Sequence, residues 1–215
     1  MRSNAVVIVR IFCIGFFLAN VFQREMVGQT SAQRVEPFEQ LSVPRIKVDD
    51  GPDGISSMRD LCPARWDTCQ KYWAYTANFV NNYSIPLRDK ELLILRTAWL
   101  SRGDYVWGRH YLIGRDAGLT DEEIQRIIDG PTADGWSDFD VLLLRAADEL
   151  HRSRFVSAAT WNGLAQRYNQ DQLIEVVLII GNYTQLTMFQ NTLGAQLPEE
   201  IEGLPETRAS ADRQR

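Results

Sequence analysis

Apolar residues recur along this chain every three to four positions, the period of an α-helix that faces a core. The pattern is sharpest over residues 86–117, where two stripes follow one another across a break at Ser101-Arg102-Gly103-Asp104. The first joins Glu91, Leu92, Leu95, Ala98 and Trp99; the second joins Gly103, Val106, Trp107, His110, Ile113, Gly114 and Ala117. A glutamate and a histidine therefore sit on faces that are otherwise apolar. Burying either group is costly unless it is paired. Two helices folded back on each other would bring them together.

The remaining elements follow from the same period and from capping chemistry. A helix is predicted over residues 63–82, with Trp66, Cys69, Tyr72, Trp73, Thr76 and Val80 on one side and Asn81-Asn82-Tyr83-Ser84 ending it. Gly118 closes the second central helix as a C′ glycine. Thr120 and Glu123 form a capping box that opens a short helix, which stops at Gly130-Pro131. Ser137 caps a helix over 138–152 carrying Val141, Leu142, Leu144, Ala146 and Leu150, and Ser157 caps one over 158–168. Asn169 with Gln172 caps a last helix over 170–193, whose run LIEVVLIIGNYTQLTMF predicts burial on most sides. No segment alternates with period two long enough for a strand, so the expected class is all-α, a bundle of about six to eight helices. A faint repeat at an offset of 49 aligns residues 91–96 with 140–145 and 119–128 with 168–177. It has two readings, a pseudo-symmetric pair of helical units or the pattern any amphipathic helices share.

These elements give a domain over 60–196, preceded by an extended Pro- and Gly-containing lead-in over 33–59 and followed by a polar tail over 197–215 that is expected to fray. Residues 1–32 stand apart. Residues 11–22 are apolar except for Asn20, a length that suits a signal peptide, with Thr30-Ser31-Ala32 as a cleavage site. The corresponding localisation is secreted or periplasmic. An uncleaved membrane anchor and an organellar presequence are the alternatives, and membrane contact would then run only through this segment.

A net charge of −5 and the lack of a basic face argue against a nucleic-acid partner. Lys47, Lys71 and Lys90 are the only lysines, which leaves few candidates for Schiff-base chemistry. Cys62 and Cys69, on one straight helix, would lie about 10 Å apart, beyond disulfide reach. Two free thiols are the expectation, although Pro63 could place Cys62 outside the helix. The two histidines, His110 and His151, are 41 residues apart with no ligand-spaced partner, so no metal site is expected. No GxSxG, Walker or GxGxxG motif is present, and no cofactor is expected. His151 lies near a helix C-terminus, where it can favour the helix dipole. Glu91 with His110 is the candidate site: a carboxylate that holds an imidazole sets its tautomer and suits general acid–base work. A purely structural pair would look the same in sequence. Trp107 and Tyr105 would line a pocket beside His110 if one opens there, although for Trp107 the core-aromatic reading is favoured. Asn182, Tyr183 and Gln185 interrupt the last apolar helix and could bind a ligand, each other, or a neighbouring subunit.

The stretch LRDKELLILRTAWLSRGDYVWGRHYLIGRDAGLTDEEI resembles the carboxymuconolactone decarboxylase family, which includes the alkyl hydroperoxidase D-like proteins. The resemblance extends over about 60–194 and is carried by RDxELxILR, YxWxxH and AGLTDEEI. Members of the redox branch place a CxxC pair between the glutamate and the histidine. Here those places hold Gly103 and Val106, while Glu91 and His110 stay in register. The resemblance therefore implies an all-α, alkyl hydroperoxidase D-like fold in the branch without thiols. It implies His110 as proton donor and Glu91 as its orienting group, acting without a cofactor on a small carboxylated lactone or a substrate typical of aromatic catabolism. Decarboxylase, lyase or isomerase activity is the leading expectation. A non-catalytic oligomeric binding protein on the same scaffold is the alternative, and peroxide detoxification follows as a third. The family also implies a homo-oligomer, a trimer or hexamer, with a small molecule as the partner.

Overall fold

A computed structural model describes residues 40–45 and 67–205. The leader, most of the lead-in and the last ten residues lie outside this range. Seven helices are present among the described residues: α1 Asp67–Asn81, α2 Leu87–Leu100, α3 Asp104–Asp116, α4 Asp121–Asp129, α5 Asp138–Ser153, α6 Ala158–Leu164 and α7 Gln170–Leu193. No described residue is in a strand. The class is all-α.

Helix α2 is the axis of the bundle, since α3, α4, α5 and α7 all pack on it. Every residue from 89 to 98 is buried, so the expected one-sided stripe is too narrow. Encirclement takes polar groups inside, and each must find a partner. Asp89 accepts from Tyr168 Oη at 2.6 Å. Arg96 meets Asp148 at 2.6 Å through Nε and the carbonyl of Ile127 at 2.6 Å through Nη1. Thr97 returns its hydroxyl to Leu93 O at 2.7 Å.

The caps are as the sequence predicts. Thr120 with Glu123 and Asn169 with Gln172 both form reciprocal capping boxes. They stand 49 residues apart, the offset at which the two sequence segments align. Ser137 and Ser157 cap α5 and α6. Gly118 takes φ +96° after α3, and Gly130 φ +86° after α4. Helix α6 ends at Leu164, short of the expected 168. Tight bonds from Gln166 and Arg167 close it, and Tyr168 N returns to Leu164 O. The tightening turns Tyr168 inward toward Asp89.

Four expectations are corrected. Ile113, placed on the core stripe of α3, is 39% exposed, while Gly108 is buried. The cause is the chain beyond α7. A β-carbon at Gly108 would lie 2.7 Å from Glu202 O, so the missing side chain lets residues 201–202 lie against α3. For the same reason the tail does not fray where it is described: Leu204 is buried and its N–H donates to Asp104 Oδ1 at 2.7 Å. Residues 40–45 also lie on the domain, with Gln40 donating to Asp104 Oδ2 at 2.7 Å and Arg45 N to Leu193 O at 2.9 Å. Helix α7 is not buried on most sides: Ile174, Leu178, Gly181, Gln185 and Met188 form an exposed stripe at alternating three- and four-residue steps. Finally, Cys69 is buried and disulfide-bonded rather than a free thiol. Both Cys13 and Cys62 lie outside the described residues.

Candidate active site

The break between α2 and α3 is a short turn. Gly103 N donates to Ala98 O at 2.7 Å, and Gly103 becomes the N-cap of α3. The turn reverses the chain, so Glu91 and His110 face each other from roughly equal distances along the two arms. His110 Nδ1 lies 2.6 Å from Glu91 Oε2. A carboxylate only accepts, so Nδ1 carries the hydrogen and Nε2 is left for other work. The Glu91 side chain is 0% exposed and that of His110 is 14% exposed. The carboxylate is closed off, while the histidine keeps a small exposed fraction.

Two further groups complete it. Tyr183, buried on α7, meets the His110 ring edge to face at 4.9 Å. Burial first, then the Glu91 charge and Tyr72, push the Tyr183 phenol well above its ordinary value, so it stays neutral. Lys90, 4% exposed, places Nζ 3.6 Å from Glu91 Oε1. That oxygen has no hydrogen bond, so the ammonium is its nearest complement. Sequence reasoning missed Lys90. Adjacent helical side chains do not face each other, and lysine is ordinarily at the surface. Its scarcity in this chain was the available signal.

Trp107 is buried, with its ring 5.9 Å from that of Trp99, on the core side of α3. Tyr105 is half-buried in the first turn of α3. The aromatic ring that meets His110 is Tyr183, from the helix where Asn182 and Tyr183 were noted. Asn182 is buried, and its Oδ1 accepts from Thr76 of α1 at 3.1 Å. Gln185 lies on the exposed stripe. His151 is half-buried at the end of α5, where burial and Arg154 favour the neutral imidazole over the cation that a helix dipole would prefer.

At the positions where the redox branch carries thiols, Val106 is buried core and Gly103 is closed in from the opposite side. A β-carbon on Gly103 would lie 2.6 Å from Thr187 Oγ1 and 2.9 Å from its Cγ2. Gly103→Ala is therefore expected to cost about 1–3 kcal/mol through overpacking. Thr187→Ala in the same chain should recover most of that loss. Urea denaturation of the two single variants and the double variant measures it; simple additivity would show that the contact is not the cause. Among the described residues no group of three His, Cys, Asp or Glu side chains is placed to hold a metal ion.

The family profile for carboxymuconolactone decarboxylase matches residues 68–149. Among solved structures, a protein of unknown function from Agrobacterium tumefaciens, provisionally described as the antioxidant-defence protein AhpD, aligns with a TM-score of 0.60. The alignment covers 68% of this chain and 99% of that one at 13% identity. An uncharacterised peroxidase-related protein from Silicibacter sp. TM1040 aligns at 0.63, over 75% of this chain and 95% of its own, at 9% identity. The debrominase Bmp8, in complex with 2,3,4-tribromopyrrole, aligns at 0.54 over 76% and 83%, at 15% identity. At these identities the likeness is one of fold. No curated protein matches the sequence.

Proposed function

We propose that the chain, whose residues 68–149 match the carboxymuconolactone decarboxylase family, is a cofactor-free acid–base enzyme, a decarboxylase, lyase or isomerase acting on a small carboxylated lactone or a related ring acid. The observation that supports this most is the 2.6 Å contact between His110 Nδ1 and a wholly buried Glu91, with the His110 side chain still 14% exposed. With Nδ1–H held by Glu91, Nε2 is the atom that exchanges protons. In a decarboxylation the carboxyl C–C bond breaks and its electron pair stays on the ring carbon as an enolate. Carbon dioxide leaves, and His110, having taken a proton from solvent at Nε2, gives it to that carbon. In an isomerisation Nε2 takes a proton from one carbon and returns it to another. Neither step requires a second redox partner.

A thiol peroxidase is disfavoured by the same site. Gly103 and Val106 carry no sulfur, and Cys69 is buried and already bonded. The alternative of a non-catalytic binding protein has one observation in its favour: Trp107 packs into the core with Trp99 and so opens no pocket beside His110. A thermal-shift panel of small lactone acids, with ligands that stabilise then assayed for carbon dioxide release or double-bond migration, separates the two. A ligand that raises Tm and is never turned over would support the binding reading and sink the enzymatic one.

The reading includes a homo-oligomer, a trimer or hexamer. Its support is the α7 stripe, whose three-four spacing is that of a helix-pairing seam with Gly181 at its middle. A β-carbon at Gly181 would meet nothing within 4 Å, which leaves room for a second backbone to approach. Leu178→Glu with Met188→Glu should convert the assembly to monomers by light scattering, with helical content retained. An unchanged mass for the double variant would place the interface elsewhere.

A further inference from the structure

We propose that Lys90 is a positioning residue for the Glu91–His110 pair: it supplies the counter-charge to Glu91 and engages Oε1, leaving Oε2 to hold an uncharged imidazole. This rests on the acid–base reading above. Lys90 is almost wholly buried, and three groups fix its ammonium. Nζ donates to Phe79 O at 3.3 Å, in the last turn of α1. It stands 3.8 Å over the centroid of Tyr83. It lies 3.6 Å from Glu91 Oε1. The first two contacts alone would describe a lysine that ties down the negative end of α1. The third goes further. It gives each carboxylate oxygen its own partner, the ammonium on Oε1 and the imidazole on Oε2. A buried carboxylate demands one positive charge nearby. If Lys90 provides it, His110 is not drawn into a standing ion pair and is free to gain and lose a proton at Nε2. Among the described residues, the phenols that touch this group are Tyr183 from α7, edge to face with His110, and Tyr83 beneath Lys90; burial pushes the Tyr183 phenol up, so it supplies no charge near neutral pH.

The test reads the charge on His110 directly and needs no substrate. The full chain is labelled with ¹⁵N-histidine, and the two histidines are told apart with a His151→Gln variant. Imidazole nitrogen shifts at neutral pH then give the ratio of charged to neutral His110. Lys90→Met removes the counter-charge and should raise that ratio about tenfold, the scale expected for one unit charge acting over several ångströms in a partly buried site. Lys90→Arg should leave the ratio at the wild-type value. Should Lys90→Met fail to fold, Lys90→Gln keeps a donor for the Phe79 carbonyl and removes only the charge, and it should raise the ratio likewise. A folded Lys90→Met or Lys90→Gln protein with an unchanged ratio overturns the proposal, because a purely structural tie would behave that way. Loss of the acid–base reading, by contrast, would appear as absent turnover in the unmodified chain and would leave the measured ratio intact.

Discussion

Replacing His110 with Gln is expected to lower turnover by roughly 10²–10⁴-fold, the usual contribution of a positioned proton-transfer group, while the protein stays folded. The structure gives both halves of that expectation. A glutamine amide can still donate to Glu91 Oε2, so the buried carboxylate keeps a partner and the main penalty is a lost edge contact with Tyr183. What is lost is Nε2, the ring nitrogen that the contact with Glu91 leaves uncommitted. The measurement is kcat/KM on whichever lactone acid the panel yields, with circular dichroism and Tm as controls. Activity within a few-fold of the wild type would remove His110 from the chemistry.

The second large effect is on stability. Glu91→Leu is close to volume-conserving, but it leaves the Lys90 ammonium and the inner edge of His110 facing hydrocarbon. Breaking a buried pair from one side typically costs about 3–5 kcal/mol, a large part of a domain's net stability. Urea denaturation at neutral pH reads it. Glu91→Gln, which keeps a neutral acceptor for Nδ1, should cost clearly less. Lys90→Met placed in the Glu91→Leu background should recover part of the loss, because the stranded charge is then gone. A Glu91→Leu protein less than about 1 kcal/mol weaker than wild type would mean that the pair, however short, contributes little to folding.

Much of the site was visible before any fold. Glu91 and His110 stood out because each interrupts an apolar stripe, and the turn at residues 101–104 implied that the two stripes meet. Gly103 and Val106 could be read against redox chemistry from residue type alone. What Trp107 faces could not. A stripe shows that a residue points inward, but it does not say whether a core or a pocket waits there. The structure puts Trp107 against Trp99 and puts Tyr183, from far along the chain, beside the imidazole. Lys90 escaped notice because its role depends on α2 being surrounded. On a helix with a solvent face it would have been an ordinary surface lysine.

The division has a physical basis. Capping boxes, C′ glycines and the period of burial are interactions between residues no more than a few positions apart, so the sequence by itself determined the all-α class, most helix boundaries and the two polar residues on apolar faces. The closed environment of α2, the exposed stripe on α7, the docking of Leu204 against α3 and the choice of Lys90 and Tyr183 as neighbours of the pair are decided by contacts between segments remote in sequence. Asp89 finds Tyr168, 79 residues on, and Arg96 finds Asp148, 52 residues on. No local rule selects such partners. Only tertiary packing, which must satisfy every buried charge at once, does so.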